Sequence, residues 1–223
     1  KQASPVDAGV DAAAAGLVSA TGRRRSWSPE PGWALVAVIG LAFALRAIGL
    51  DGQSLWRDEV DAIRFAQFPL PDLLRTFVTP GQNGPLYFLL LRPWLSLAGH
   101  SEFALRFLSL FFSVLAVPLT YRLARELFSP LSQAQRDGAS LLAAILVTTS
   151  PYLVWYGQEG KMYSLVVTLA LTSICCYLAA LRWGRWYHWL AFVAATTAAF
   201  YVHLIAALLI PAQVLIFALG PWD

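Results

Sequence analysis

Of 223 residues, 58% are hydrophobic and 13% charged, with a mean hydropathy of +0.58, which lies outside ordinary soluble globular usage and predicts a chain embedded in lipid. The net charge is only +3 and its densest block, Arg23–Arg25, stands just ahead of the first apolar run, so it reads as a topogenic signal and nucleic acid is excluded as a partner. The two cysteines, Cys175 and Cys176, are adjacent in an apolar segment without a CxxC or Cys/His spacing, which predicts buried free thiols and no metal site or disulfide.

Residues 1–32, rich in Ala, Ser, Gly and Pro, lack an apolar period and are expected to form a disordered cytoplasmic tail. The chain starts with Lys and stops just after an apolar run, so a processed or partial sequence is expected, with further helices beyond residue 223. Residues 33–50 follow as an 18-residue, largely apolar run, about 27 Å of helix and close to the ~30 Å of a bilayer's hydrocarbon. With Arg23–Arg25 inside, this first crossing delivers "SLWRDEVDAI", residues 54–63, to the outer face, where Asp58, Glu59 and Asp61 crowd together. Arg46 sits one turn from the outer end of this crossing, and snorkelling toward the headgroups is its expected state.

The next apolar run, 85–99, is 15 residues long and holds the pair Arg92-Pro93. If it crossed, Arg122, Arg125 and Arg136 would lie outside, against the bias of basic residues toward the cytoplasm, so it is expected to lie along the outer interface. Crossings are then predicted at about 33–50, 103–121, 138–156, 162–181, 186–202 and 204–219, with an outer loop over 51–102 that carries short amphipathic helices. The expected fold is an all-α polytopic transmembrane bundle. In this arrangement the turn Trp155–Tyr163, with Gln158, Glu159 and Lys161, shares the outer face with Asp58 and Glu59. Acids and a base under a belt of aromatics, among them Trp56 and Tyr156, suit a substrate with a polar head and an apolar tail. Trp183, Trp186 and Trp189 fall at the opposite boundary as anchors.

Four stretches in one order carry a resemblance: "ALRAIGLDGQSLWRDEV", "NGPLYFLLLRPWLSLAGHSEFALRFLS", "SPYLVWYGQEGKMYSL" and "FYVHL", spanning roughly residues 44–204. Together they resemble the polyprenyl-phosphate-dependent glycosyltransferases of the GT-C superfamily, in particular glycosyltransferase family 39, the relatives of dolichyl-phosphate-mannose protein mannosyltransferases. The resemblance implies transfer of a sugar from a polyprenyl-phosphate donor to a hydroxyl acceptor (protein, lipid or glycan) on the extracytoplasmic face, with inversion. It places the family's Asp-Glu pair on Asp58 and Glu59, with Asp58 as the base, since a hydroxyl needs a carboxylate within reach to take its proton. Glu159 joins them as a third acid. A divalent ion on Asp58 and Glu159 is a possible cofactor that the resemblance leaves open, because hard cations ask for several oxygens.

The leaving phosphate needs fixed cations, for which Lys161 stands first and Arg106 and Arg92 behind it, with snorkelling as the competing role of both arginines. Substrate contacts are expected from Asn83, Tyr87, Gln158, Tyr163 and His203. Of these, Asn83 reads first as a helix cap and Tyr163 first as a member of the interfacial belt, while for His203 a structural hydrogen bond weighs at least as much as a catalytic role. Many family members carry His-Pro-Pro-Leu-Tyr where this chain has Asn83-Gly84-Pro85-Leu86-Tyr87. A bacterial inner membrane is the expected location. A transporter or flippase is the alternative class, but such proteins set polar sites near the midplane of repeated halves, and neither feature is visible here.

Overall fold

A computed structural model describes residues 31–79 and 82–220. The expected disordered tail and Arg23–Arg25 therefore lie outside the described residues, apart from Pro31 and Gly32, which begin the first helix. All regular structure among the described residues is helical: α1 (Pro31–Ala47), α2 (Arg57–Gln67), α3 (Leu70–Val78), α4 (Leu86–Ala98), α5 (Glu102–Leu127), α6 (Gln133–Thr149), α7 (Pro151–Gly157), α8 (Tyr163–Trp183), α9 (Trp186–Val202), a 3₁₀ turn (Leu204–Leu208) and α10 (Leu209–Leu219). The all-α bundle expected from composition is what is found.

α5 and α8 are each long and apolar enough to cross a membrane alone, and α6 with α7 makes a third such run, bent by 58°. α1 and the run Leu204–Leu219 are apolar but shorter. α5 is the central post, against which α8, α6, α7 and α1 all pack, while α9 lies along α8. At 26 residues it is about 39 Å long, so its two ends belong to opposite ends of the bundle. Near its C-terminus gather the ion pairs Arg182–Glu126 and, at 3.3 Å, Arg125–Asp137. Near its N-terminus lie the amphipathic helices α2 to α4, whose apolar faces bury Ala62, Leu73, Tyr87, Phe88, Leu91 and Leu95 against α5, α8 and α9. The expected loop with short helices is thus formed and packed on one end of the bundle.

Two expected helices are broken, for visible reasons. The run 138–156 divides at Ser150-Pro151, because proline has no N–H to give the preceding turn and pushes the residue before it into an extended conformation, here φ −61°, ψ 116°. Ser150 then caps α7, accepting from Leu153 N at 3.5 Å. The run 204–219 starts as a 3₁₀ turn capped by His203, whose Nδ1 accepts from Ile205 N at 3.1 Å. Cys175 is buried and Cys176 half-buried, both as free thiols.

Candidate active site

Two segments far apart in sequence meet at the N-terminal end of α5. The first turn of α2 carries Asp58 and Glu59, and α7 hands the chain to a tight turn at 158–162 that leads into α8. Glu59 is 1% exposed. Its Oε1 accepts from Gly160 N at 2.7 Å and Arg106 Nε at 2.9 Å, and its Oε2 accepts from Arg106 Nη2 at 2.8 Å and Trp56 N at 3.1 Å. The bond to Trp56 is half of a capping box, which explains a glutamate at the third helical position. Burial alone would raise the Glu59 carboxyl, but the Arg106 guanidinium and the two backbone N–H groups outweigh it and hold the group below its ordinary value of 4.5.

Arg106 is equally committed. Besides the fork to Glu59, its Nη1 donates to Leu50 O at 2.8 Å and Gln53 O at 2.9 Å, and its Nη2 to Ser54 O at 3.3 Å. An arginine has five N–H donors and all five are used inside the protein. Glu59 and Arg106 therefore form the clasp that ties the 50–56 loop, α2, α5 and the 158–162 turn together, where a phosphate contact had been expected of Arg106. Gly160 makes this closeness possible: a Cβ there would stand 2.6 Å from Leu105 Cγ and 3.3 Å from Glu59 Oε1.

Asp58, one position earlier on α2, faces outward. Its Oδ2 lies 3.1 Å from Lys161 Nζ, with the Asp58 side chain 71% and the Lys161 side chain 20% exposed. Both line a cavity of about 190 Å³ with Asp61, Gln82, Asn83 and Tyr87 as its other polar members and Phe65, Phe77 and Phe88 as its aromatic ones. Phe77 stacks on Phe88 at 4.8 Å and Phe65 meets both edge-on at 5.4 Å, giving a continuous aromatic wall opposite carboxylates and amides. Tyr87 is 1% exposed, and its hydroxyl makes no hydrogen bond although Ser109 is within electrostatic reach. Burial pushes its phenol well up, so the hydroxyl keeps its proton. Asn83 caps no helix: α4 begins at Leu86 with Pro85 as its N-cap and no side-chain cap, and the Asn83 amide borders the cavity instead.

The remaining expected residues are dispersed. Glu159 accepts from Trp155 Nε1 at 2.8 Å and lines a second, smaller cavity with Glu59, Arg106 and Gln158. The Gln158 amide caps the end of α1, donating to Ile48 O at 3.0 Å and to Leu45 O and Arg46 O at 3.3 Å. Arg92 donates to Phe68 O at 2.6 Å and so fixes α4 to the corner between α2 and α3, bordering neither cavity. Tyr163 belongs to a row in which Tyr152, Tyr156 and Tyr163 meet edge-on at 4.5 and 4.6 Å, and His203 lies 5.9 Å from Tyr163. That row rims an apolar cavity of about 240 Å³ between α5, α7 and α8.

Among the described residues the carboxylates gather into no three-ligand cluster. Asp58 and Glu159 line different cavities, and the oxygens of Glu59 are taken by Arg106 and backbone N–H groups. Sequence reasoning grouped Asp61 with its neighbouring acids but gave it no role at the site, and it did not single out Gln82, Phe65, Phe77 or Phe88, which border the same cavity. Asp61 carries a signal that was available, since it lies one helical turn from Asp58 on the same face of α2. Gln82 and the three phenylalanines carry none, because only the packing of α2, α3 and α4 collects them.

A family model described as dolichyl-phosphate-mannose-protein mannosyltransferase matches residues 82–222. No curated protein and no solved structure matches the chain. Asp58 and Glu59 precede the matched stretch, yet their partners Lys161, Arg106 and Gly160 all lie within it. The motifs, the helical bundle and this match agree, and the chain belongs to the dolichyl-phosphate-mannose-protein mannosyltransferase family, membrane glycosyltransferases of the GT-C type.

Proposed function

We propose that the protein transfers a sugar from a polyprenyl-phosphate donor to a hydroxyl acceptor at the extracytoplasmic face of a membrane, inverting the anomeric carbon. The observation that carries this reading is the contact between Asp58 Oδ2 and Lys161 Nζ, 3.1 Å apart on the wall of one aromatic-lined cavity. A cation and a carboxylate in contact neutralise each other until a substrate separates them. The donor phosphate supplies that competitor: it takes Lys161, and Asp58 is released to face the acceptor.

The reaction then balances as follows. The acceptor oxygen forms its bond to the anomeric carbon from the side opposite the phosphate while its proton passes to Asp58 Oδ2. The bond from that carbon to the phosphate oxygen breaks, and its electron pair leaves with the lipid phosphate. Lys161 stabilises the charge that builds there, more effectively at a half-buried position than it would in bulk water. The aromatic wall and the groups of Asp61, Gln82 and Asn83 match a sugar ring, which offers apolar faces and a rim of hydroxyls. The isoprenoid tail finds its complement in the apolar cavity rimmed by Tyr152, Tyr156 and Tyr163, the last of these two positions along the chain from Lys161.

No step is routed through a divalent ion, given the dispersal of the carboxylates. The family's description makes dolichyl-phosphate-mannose the first donor to try. The test uses the purified full chain with a panel of radiolabelled polyprenyl-phosphate sugars. Transfer by the wild type and its loss by a factor of about 10² to 10⁴ in Asp58→Asn is expected of a general base; Asp58→Asn transferring at the wild-type rate would remove Asp58 from the mechanism.

A further inference from the structure

Arg46 is buried completely, at 0% exposed, where snorkelling to the headgroups had been expected. Among the described residues no carboxylate pairs with it. Its Nε donates to Ser113 Oγ at 2.6 Å and its Nη1 to Ala42 O at 3.2 Å, while Nη1 and Nη2 reach Thr148 O and Val147 O, both at 3.2 Å. The last two acceptors explain the first. In an unbroken helix Val147 O would receive the N–H of residue 151, but residue 151 is proline, and the 58° bend between α6 and α7 also draws the next carbonyl out of the ladder. Two carbonyls at the C-terminal, negative end of a helix are thereby exposed inside a bundle, and a guanidinium answers both.

The same group reaches forward. Ser113 passes the connection on by donating to Leu153 O at 3.2 Å, in the middle of α7. Gly157, the last residue of α7, packs so closely that a Cβ would stand 2.8 Å from Ser113 Oγ and 3.2 Å from Arg46 Cδ. One turn later come Gly160 N–H on Glu59 and Lys161 on Asp58.

We propose that Arg46 is a positioning residue: it supplies the hydrogen bonds that Pro151 denies the break between α6 and α7, and so fixes the direction in which α7 carries Lys161 to Asp58. Its consequence for transfer rests on the function proposed above, whereas its structural part does not. Arg46 itself lines neither cavity; its partners Ser113 and Val147 border the apolar one, so it acts through the bend and the wall that the bend shapes.

The test compares the full chain in lipid nanodiscs as wild type, Arg46→Met, Arg46→Lys, Pro151→Ala and the double variant Arg46→Met/Pro151→Ala, reading amide hydrogen exchange over residues 150–162 alongside kcat and KM. In Arg46→Met that segment is expected to exchange about tenfold faster, as the loss of one or two buried hydrogen bonds gives, while α5, α8 and α9 keep wild-type protection. The kcat falls about 100-fold, the scale of an ångström's misplacement of a catalytic group, with KM for the donor changed far less. Arg46→Lys recovers part of both, since an ammonium keeps the charge but lacks the fork. Because Pro151→Ala returns an N–H to Val147 O, the double variant loses no more than the worse of the two single ones. Unchanged exchange over 150–162 in Arg46→Met, exchange raised evenly across the bundle, or losses that multiply in the double variant would each overturn the proposal. Should the wild type transfer no polyprenyl-phosphate sugar, the proposed function falls and the exchange pattern alone decides on Arg46. If Arg46→Met does not fold, Arg46→Lys with and without Pro151→Ala gives the same comparison at smaller amplitude.

Discussion

Successive side chains on a helix point about 100° apart, so Asp58 and Glu59 at the start of α2 meet different surroundings despite their adjacency. One looks into a cavity beside Lys161 and the other into the clasp with Arg106. Substituting them should therefore separate two effects. Asp58→Asn leaves melting of the purified protein near the wild-type value while transfer is lost. Glu59→Gln strands a buried guanidinium and should cost about 3–5 kcal/mol, read as a drop in melting temperature that accompanies any loss of transfer. The pH dependence follows from the same contacts. A carboxyl held below 4.5 in the folded state contributes stability that is complete above that value and is lost as pH falls through the folded-state value, so wild type loses stability in that acid range and Glu59→Gln loses this component of the slope. Tyr87→Phe is the opposite case. Its hydroxyl has no partner to lose, so stability should hold or rise slightly, and a fall in kcat/KM measured on the same sample marks a contact made only to substrate. The residue types at the site were legible in the sequence, but which of the two neighbouring acids is buried was not, because that depends on Arg106, 47 residues away.

At the scale of elements, the site is held by close approaches that glycines permit. Gly84, which stands where many relatives have the first proline of their motif, lies so near the end of α9 that an added Cβ would overlap the Tyr201 backbone carbonyl. Gly84→Ala must push the 82–85 segment off α9, carrying Gln82 and Asn83 away from the cavity. A destabilisation of about 1–3 kcal/mol is expected from the overpacking, with KM raised more than kcat. A melting curve and a kinetic series on the variant check both. The glycine was visible as a departure from the family pattern, yet its meaning was not, since Tyr201 is 117 residues further along the chain. The kink in the 138–156 run was nearer to legibility. "SPY" writes a cap and a helix start at 150–152, and a proline at that place argues against one straight span.

At the scale of the whole molecule, the contacts Glu59–Gly160 and Asp58–Lys161 require both segments at one end of the bundle, while Arg125 with Asp137 marks the other. Single cysteines introduced at 58 and 159 in a background lacking Cys175 and Cys176 should both react with a membrane-impermeant maleimide from the extracytoplasmic side, and one at 136 only after permeabilisation. Reaction of 58 and 159 from opposite sides would contradict the fold as well as the function. The sequence by itself determined the class of molecule: a local apolar run of sufficient length or a proline has the same physical consequence in almost any context, so the all-helical, membrane-protein character and the family were readable from the chain. Only the tertiary structure decided which charges act and which hold. A carboxylate or guanidinium is spent on whichever partner lies within about 3 Å. Those partners here, Glu59 with Arg106, Asp58 with Lys161 and Arg46 with the carbonyls below Pro151, come from segments 47, 103 and about 100 residues apart, brought together by packing that no local pattern encodes.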